Sequence, residues 1–176
     1  MPGKKAGRAP AGARRRQPRS LGQWPASSCD CSACRQACLN SPGWFLPDQL
    51  ESLADHLGVP LREVFRRYLA VGTTLMPDGR LRHGVMPHKL RDHKRPGSVW
   101  RLEELAEPGR CIFYDRGHCT IYPVRPFECS RMLHSRVQGA ERLRHWIVER
   151  WTPARLKPFL NWARQRRPAG RARPEE

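Results

Sequence analysis

The chain has 176 residues, and 33 basic against 16 acidic residues give it a net charge of +17. This length predicts one compact domain with tails, and no stretch approaches the roughly 18 consecutive apolar residues of a membrane-spanning helix. Seven cysteines without an apolar export signal argue against a secreted disulfide scaffold, so we expect a cytoplasmic protein with reduced thiols and no membrane partner.

The basic charge is concentrated at the two ends. Residues 1–27 contain no acidic residue and are rich in Gly, Pro, Ala, Arg and Ser, which predicts a disordered basic tail. Residues 163–176 hold five arginines against two glutamates and predict a second disordered basic tail. The folded domain is therefore predicted to span residues 28–162.

Two amphipathic helices are predicted next. Before Gly58, apolar residues recur at the spacing of one helical face, at Leu50, Leu53, Ala54 and Leu57. A second helix runs from Pro60 to Gly72 with the same spacing, at Leu61, Val64, Phe65 and Tyr68. The short connection between them predicts a helical hairpin.

The middle of the chain carries fewer signals. Pro77-Asp78-Gly79 predicts a turn in a small hairpin. Residues 88–97 are basic and polar and predict a surface loop, and we expect His83, His88 and His93 to be loop residues because their spacing of five suits no helical face. Residues 99–107 fit either a short helix or a strand.

A second β-hairpin and three helices complete the predicted domain. Two β-prone tetrads, residues 111–114 and 119–122, flank a Gly-containing loop, with Cys111 at the far end of one arm and Cys119 at the start of the other. Pro126 is expected at the first position of a helix carrying Cys129, residues 140–151 form a further helix, and Thr152-Pro153 begins the last one. The prediction is a mainly α domain with a small β-hairpin, its short helices organised around a cysteine-ligated metal site.

The first cysteine cluster has the spacing C-x-C-x2-C-x3-C, at Cys29, Cys31, Cys34 and Cys38. A short turn can direct such thiols at one metal ion, at about 2.3 Å from each sulfur. The spacing fits zinc or an iron–sulfur cluster, although it is neither the bacterial ferredoxin run nor the C-x3-C-x2-C of radical S-adenosylmethionine enzymes. Buried unligated cysteines are the alternative, but core cysteines rarely crowd so closely.

Cys111, Cys119 and Cys129 form the second cluster, whose spacings fit no knuckle. We expect these three thiols to converge through tertiary structure and to share a site with the first cluster. Cys29 is either a further ligand or a bystander, and a histidine, His118 or His134, is a candidate for an eighth ligand. Nearby arginines would offset the thiolate charge: Arg116, Arg125 and Arg131.

These residues resemble the YkgJ-type cysteine-cluster family, described as a zinc- or iron-chelating domain. The resemblance covers residues 29–135 and rests on Cys31-Ser-Ala-Cys34-Arg-Gln-Ala-Cys38, on Pro42-Gly43-Trp44-Phe45-Leu46-Pro47 and on the stretch from Cys119 through Arg125-Pro126 to Cys129. It implies that the metal ligands are Cys31, Cys34, Cys38, Cys111, Cys119 and Cys129. The chain departs from the family pattern in having no two adjacent cysteines.

Three functions follow from these observations. The first is a metal-binding protein whose cysteines chelate an iron–sulfur cluster or zinc in a structural or redox role. The second is a methyltransferase-type enzyme, because the family includes flagellin lysine N-methylases, although the sequence has no glycine-rich nucleotide loop. The third is non-specific nucleic-acid binding through the basic tails.

Overall fold

A computed structural model describes residues 32–131 and 137–165. The predicted tail over residues 1–27 lies outside the described residues. Of the predicted tail over residues 163–176, residues 163–165 are described, and they belong to the last helix.

The described residues form seven helices and two separate antiparallel two-stranded sheets. The helices are α1 (Ser32–Asn40), α2 (Gln49–Leu57), α3 (Leu61–Tyr68), α4 (Leu102–Ala106), α5 (Phe127–Arg131), α6 (Val137–Val148) and α7 (Pro153–Gln165). The strands are β1 (Leu69–Leu75), β2 (Leu81–Pro87), β3 (Tyr114–Asp115) and β4 (His118–Cys119). The fold is therefore mixed, with helices and two small hairpins that lie where the sequence predicted hairpins.

The predicted helical hairpin is confirmed as α2 and α3. Leu50 and Leu53 of α2 and Val64 and Phe65 of α3 are buried, as their spacing indicated. The second helix ends at Tyr68 instead of Gly72. The reason is that the next residues are buried and pair with β2, so burial in a sheet prevails over the helical spacing.

The β1–β2 hairpin is longer than predicted, with seven residues in each strand. The predicted turn at its tip is confirmed by a 2.9 Å hydrogen bond from the Met76 amide to the Arg80 carbonyl. Gly72 and Gly84 lie opposite each other in the register and leave room for the Trp44 indole. A Cβ atom would lie 2.7 Å from the ring at Gly72 and 2.8 Å from it at Gly84. Trp44 is fully buried in this slot.

The surface-loop prediction for residues 88–97 is wrong at its start. His88 and Lys89 are each only 1% exposed, because the chain continues from β2 directly into the core. The His88 amide donates to the Tyr68 carbonyl at 2.8 Å, and its ring packs edge-on against Trp100. His83 is not a loop residue either, since it lies in β2 with its Nδ1 atom 3.0 Å from the Thr73 hydroxyl. His93 lies in an exposed turn, as predicted.

Lys89 caps the C-terminus of the short helix α4, which residues 102–106 form. Its ammonium group donates to the carbonyls of Leu105, at 2.8 Å, and Glu107, so a buried cation satisfies backbone acceptors at the helix C-terminus. Burial lowers the pKa of Lys89 to about 8. The ambiguous segment is thus helical, and a residue thirteen positions or more away supplies the cap at its C-terminus.

Helices α6 and α7 close the core from the other side. The Trp151 indole donates to the Phe45 carbonyl at 2.8 Å, and Phe159 of α7 packs edge-on against Phe65 of α3 at 5.4 Å. The Thr152-Pro153 start of α7 is confirmed. The helix predicted over residues 140–151 instead spans Val137–Val148. No helix among the described residues is long and apolar enough to cross a membrane.

We predict that Gly84→Ala lowers the free energy of unfolding by about 1–3 kcal/mol, because the new methyl group overlaps the buried Trp44 ring. The measurement is urea unfolding followed by tryptophan fluorescence. Arg82→Ala on the same strand is the control, because Arg82 is exposed and its removal should change the stability by less than about 0.5 kcal/mol. Equal stability of Gly84→Ala and the unaltered protein would contradict this packing.

A second prediction concerns pH. Burial lowers the pKa of His88 to about 4 from 6.5, so the folded state favours the neutral ring. This stabilisation is present above about pH 6.5 and is lost as the pH falls towards 4, a change of about 2–3 kcal/mol. In His88→Phe the dependence of unfolding free energy on pH between 4 and 6.5 should be flatter by that amount. Parallel curves for the two proteins would contradict the prediction.

Candidate metal centre

Four cysteines from separate parts of the fold line one cavity of about 300 Å³. Cys38 lies in α1, Cys111 precedes β3, Cys119 ends β4 and Cys129 lies in α5. All four are free thiols; Cys111 is buried and the others are partly buried. Four of the six predicted ligands thus line the same cavity.

The sequence predicted Cys111 at the far end of a hairpin arm, but Cys111 lies outside the β3–β4 hairpin. The arms β3 and β4 have only two residues each, and Cys111 forms an isolated antiparallel bridge with Lys89. Its amide also donates to the Cys38 carbonyl at 2.7 Å. The reason is a tight turn after Cys111, in which the Tyr114 amide donates to the Cys111 carbonyl at 3.0 Å. The hydrogen bond between the Cys111 amide and the Cys38 carbonyl joins α1 to the wall of the cavity.

The segment that leads to Cys129 is fixed by Gln49 of α2. The Gln49 side-chain oxygen accepts the amide of Phe127 at 2.8 Å, and its nitrogen donates to the Arg125 carbonyl at 3.4 Å. An amide at the first turn of a helix has no partner within the helix, so Gln49 satisfies one of these donors. Helix α5 begins at Phe127, whereas the sequence predicted Pro126 as its first residue.

Neighbouring backbone amides act to lower the pKa values of three of the four thiols. Those of Phe113 and Tyr114 act on Cys111, that of Ile121 acts on Cys119, and that of Gly43 acts on Cys129. An N–H group directed at a sulfur favours its charged form. These amides therefore favour thiolates in the cavity.

Burial and mutual repulsion act in the opposite direction. Burial raises the pKa of Cys111 to about 12, and the neighbouring Cys38 and Cys119 add to the effect. Burial also raises the pKa values of Cys38, Cys119 and Cys129, while Arg125 beside the cavity lowers that of Cys119. Thiols in this arrangement ionise together only when a cation balances their charge. A bound metal ion would be such a cation.

An ion pair between the buried Glu128 carboxylate and Arg144 lies next to Cys129. The Glu128 carboxylate is fully buried, and Arg144 of α6 donates to it through Nη2 at 2.9 Å and Nε at 3.2 Å. The second Glu128 oxygen accepts the Trp44 amide at 2.8 Å. The sequence gave no signal for the pairing of Glu128 with Arg144, because the two residues lie 16 positions apart and no local pattern marks either of them.

The structure describes only some of the other predicted ligands. Cys34 lies in α1 one helical turn before Cys38. Cys29, Cys31 and His134 lie outside the described residues. His118 lines the cavity but is exposed, and among the three predicted arginines Arg125 is the one that lines it. Among the residues that the structure describes, no three Cys, His, Asp or Glu side chains lie close enough to hold one metal ion.

Comparisons with known proteins add no family to this description. No family model, no curated protein and no solved structure matches the chain. The site therefore has to be interpreted from its own chemistry.

We predict that Glu128→Gln lowers the free energy of unfolding by roughly 2–4 kcal/mol, because Arg144 loses the carboxylate that compensates its partly buried charge. Chemical denaturation measures this change. Glu63→Gln on α3 is the control, since its ion pairs with Arg66 and Arg67 are solvent-exposed and should contribute about 1 kcal/mol or less. Similar losses in the two variants would contradict a special role for the buried pair.

Proposed function

We propose that this protein binds a metal centre through its cysteine cavity. The observation that carries the proposal is that four thiols from distant chain segments line one cavity. Backbone amides beside three of them act to lower their pKa values, which suits thiolate ligands of a metal better than neutral core cysteines. Cys31 and Cys34 are the proposed additional ligands from the N-terminal side, in line with the resemblance to the YkgJ-type family.

An iron–sulfur cluster fits the cavity better than a single zinc ion. Zinc needs four ligands at about 2.1–2.3 Å, which brings the donor atoms close together. The described ligand side chains do not approach one another in this way, and they surround about 300 Å³ of space. A polynuclear cluster spreads its iron atoms, so its thiolates line a wider cavity. Zinc is the second candidate, because the same thiolates would bind it after a shift of α1.

The surroundings suit a redox or structural centre. Apolar side chains such as Phe113 and Ile121 line the cavity beside the thiols, and the hydrophobicity around a cluster and its hydrogen bonds set the reduction potential. We further propose a cytoplasmic location, where thiols stay reduced. Methyl transfer and nucleic-acid binding remain predictions from the sequence, since no observation on the described residues favours either.

The test is anaerobic purification followed by iron, sulfide and zinc analysis and an absorption spectrum. We expect a brown protein with broad visible absorption and stoichiometric iron and sulfide. A colourless protein with stoichiometric zinc would support the second candidate. A folded protein with neither metal would contradict the proposal.

Single substitutions identify the ligands. Cys111→Ser and Cys119→Ser should each lower both the metal content and the melting temperature, because metal binding is coupled to folding. Cys29→Ser is the matched control, since Cys29 is the extra member of the first cluster, and it should lower both quantities less. Equal losses in all three variants would make Cys29 a ligand, and unchanged metal content in Cys111→Ser would remove Cys111 from the site.

A further inference from the structure

Two of the cavity cysteines are in direct backbone contact. Cys38 of α1 and Cys111 are 73 positions apart in the chain, yet the Cys111 amide donates to the Cys38 carbonyl at 2.7 Å. With the covalent bonds on either side of it, a hydrogen bond of this length keeps the two Cα atoms within about 7 Å of each other. Disulfide bonds join cysteines whose Cα atoms are about 4.4–6.8 Å apart. The backbone contact therefore brings this pair to the separation that a disulfide requires.

The two side chains also point to a common space. Both are free thiols, and both line the cavity of about 300 Å³. A disulfide requires Cβ atoms that are directed towards each other, and side chains that face one cavity converge in this way. Cys111 is held on its side by the bridge to Lys89 and by the turn in which the Tyr114 amide donates to its carbonyl at 3.0 Å.

The two thiols differ in their access to solvent. Cys38 is half-buried, whereas Cys111 is only 7% exposed. Cysteines that respond to oxidants commonly pair an accessible thiol with a second thiol that resolves the first product. Cys38 is in the position of the accessible thiol and Cys111 in that of the resolving one. Two unlinked core cysteines would instead stay reduced as small apolar side chains.

We propose that Cys38 and Cys111 form a reversible disulfide, with a small-molecule disulfide of the glutathione type as the oxidant. This inference goes beyond the proposed function, and it needs no metal ion. The Cys38 thiolate attacks one sulfur of the oxidant, whose S–S bond breaks as the first glutathione thiolate leaves. The Cys111 thiolate then attacks the Cys38 sulfur and releases the second glutathione. Two protein thiols are thereby oxidised and one glutathione disulfide is reduced to two thiols, which take up the two protons.

The sequence allows this bond to be identified without ambiguity. Trypsin cleaves after Arg35, Arg62, Arg110 and Arg116, so Cys38 is the sole cysteine of peptide 36–62 and Cys111 the sole cysteine of peptide 111–116. The other five cysteines lie in peptides 20–35 and 117–131. The mass of peptide 36–62 joined to peptide 111–116 therefore reports the proposed disulfide alone.

The test equilibrates the reduced full chain with mixtures of reduced and oxidised glutathione, with and without EDTA, then alkylates the free thiols and digests the protein. Near-ultraviolet circular dichroism shows that the chain is folded. The joined peptides should be at least about 10-fold more abundant than after the same oxidation in concentrated urea. The reason is that an unfolded chain closes a loop of 73 residues less readily than the short loops between neighbouring cysteines of the first cluster.

Serine variants separate the roles of the two thiols. Cys111→Ser should stop at a glutathione adduct on Cys38, because the resolving thiol is missing. Cys38→Ser should leave Cys111 reduced, because the remaining thiol is buried. Cys119→Ser is the matched control: Cys119 lines the same cavity, and its removal leaves both members of the pair in place, so the joined peptides should form as in the unaltered protein.

The outcomes are independent of the metal analysis. Peptides 36–62 and 111–116 that stay unjoined, both with and without EDTA, would overturn the inference. A joined pair that is equally abundant in urea would overturn it as well, as would a Cys38 that is linked mainly to peptide 20–35 or 117–131. A joined pair in a chain that binds neither iron nor zinc would support the disulfide while the proposed function fails.

Discussion

The electrostatics of four neighbouring buried thiols constrain the whole structure. Burial raises the pKa values of all four thiols, and neighbouring thiols add to this effect at Cys38, Cys111 and Cys129, while backbone amides and Arg125 act against it. Such a site is stable either with neutral thiols or with thiolates around a cation, and the backbone amides favour the second state. The chain segments that carry the cysteines are short, so the rest of the fold has to hold them in place.

Trp44 connects the hydrophobic core to this cavity. Its indole occupies the slot between the two facing glycines of the β1–β2 hairpin, while its backbone pairs with Glu128 beside Cys129. One residue thus contacts both the hydrophobic core and the residue that precedes Cys129. A change on the hairpin that displaces the indole would be transmitted to the cavity wall, because protein interiors are densely packed.

Local patterns in the sequence predicted the elements that depend on local physics. The helical hairpin followed from apolar spacing and α7 from the Thr152-Pro153 start. Elements that depend on distant partners were not predictable: Lys89 appeared to be a loop residue but caps α4, and Glu128 gave no sign of its partner Arg144. The second cysteine cluster lay between these cases, since the residue type suggested a site and the spacing could not give its geometry. The short β3–β4 arms show why, because Cys111 lies outside them and is bridged to Lys89, which is distant in the sequence.

We propose that sulfur atoms from these separate segments ligate a common metal centre. X-ray absorption spectroscopy at the edge of the metal carried by the anaerobically purified 176-residue chain tests this proposal most directly. We expect a first coordination shell of sulfur at about 2.3 Å, with a metal–metal neighbour when the centre is an iron–sulfur cluster. A first shell of nitrogen and oxygen, or the absence of a stoichiometric metal in the folded protein, would contradict it.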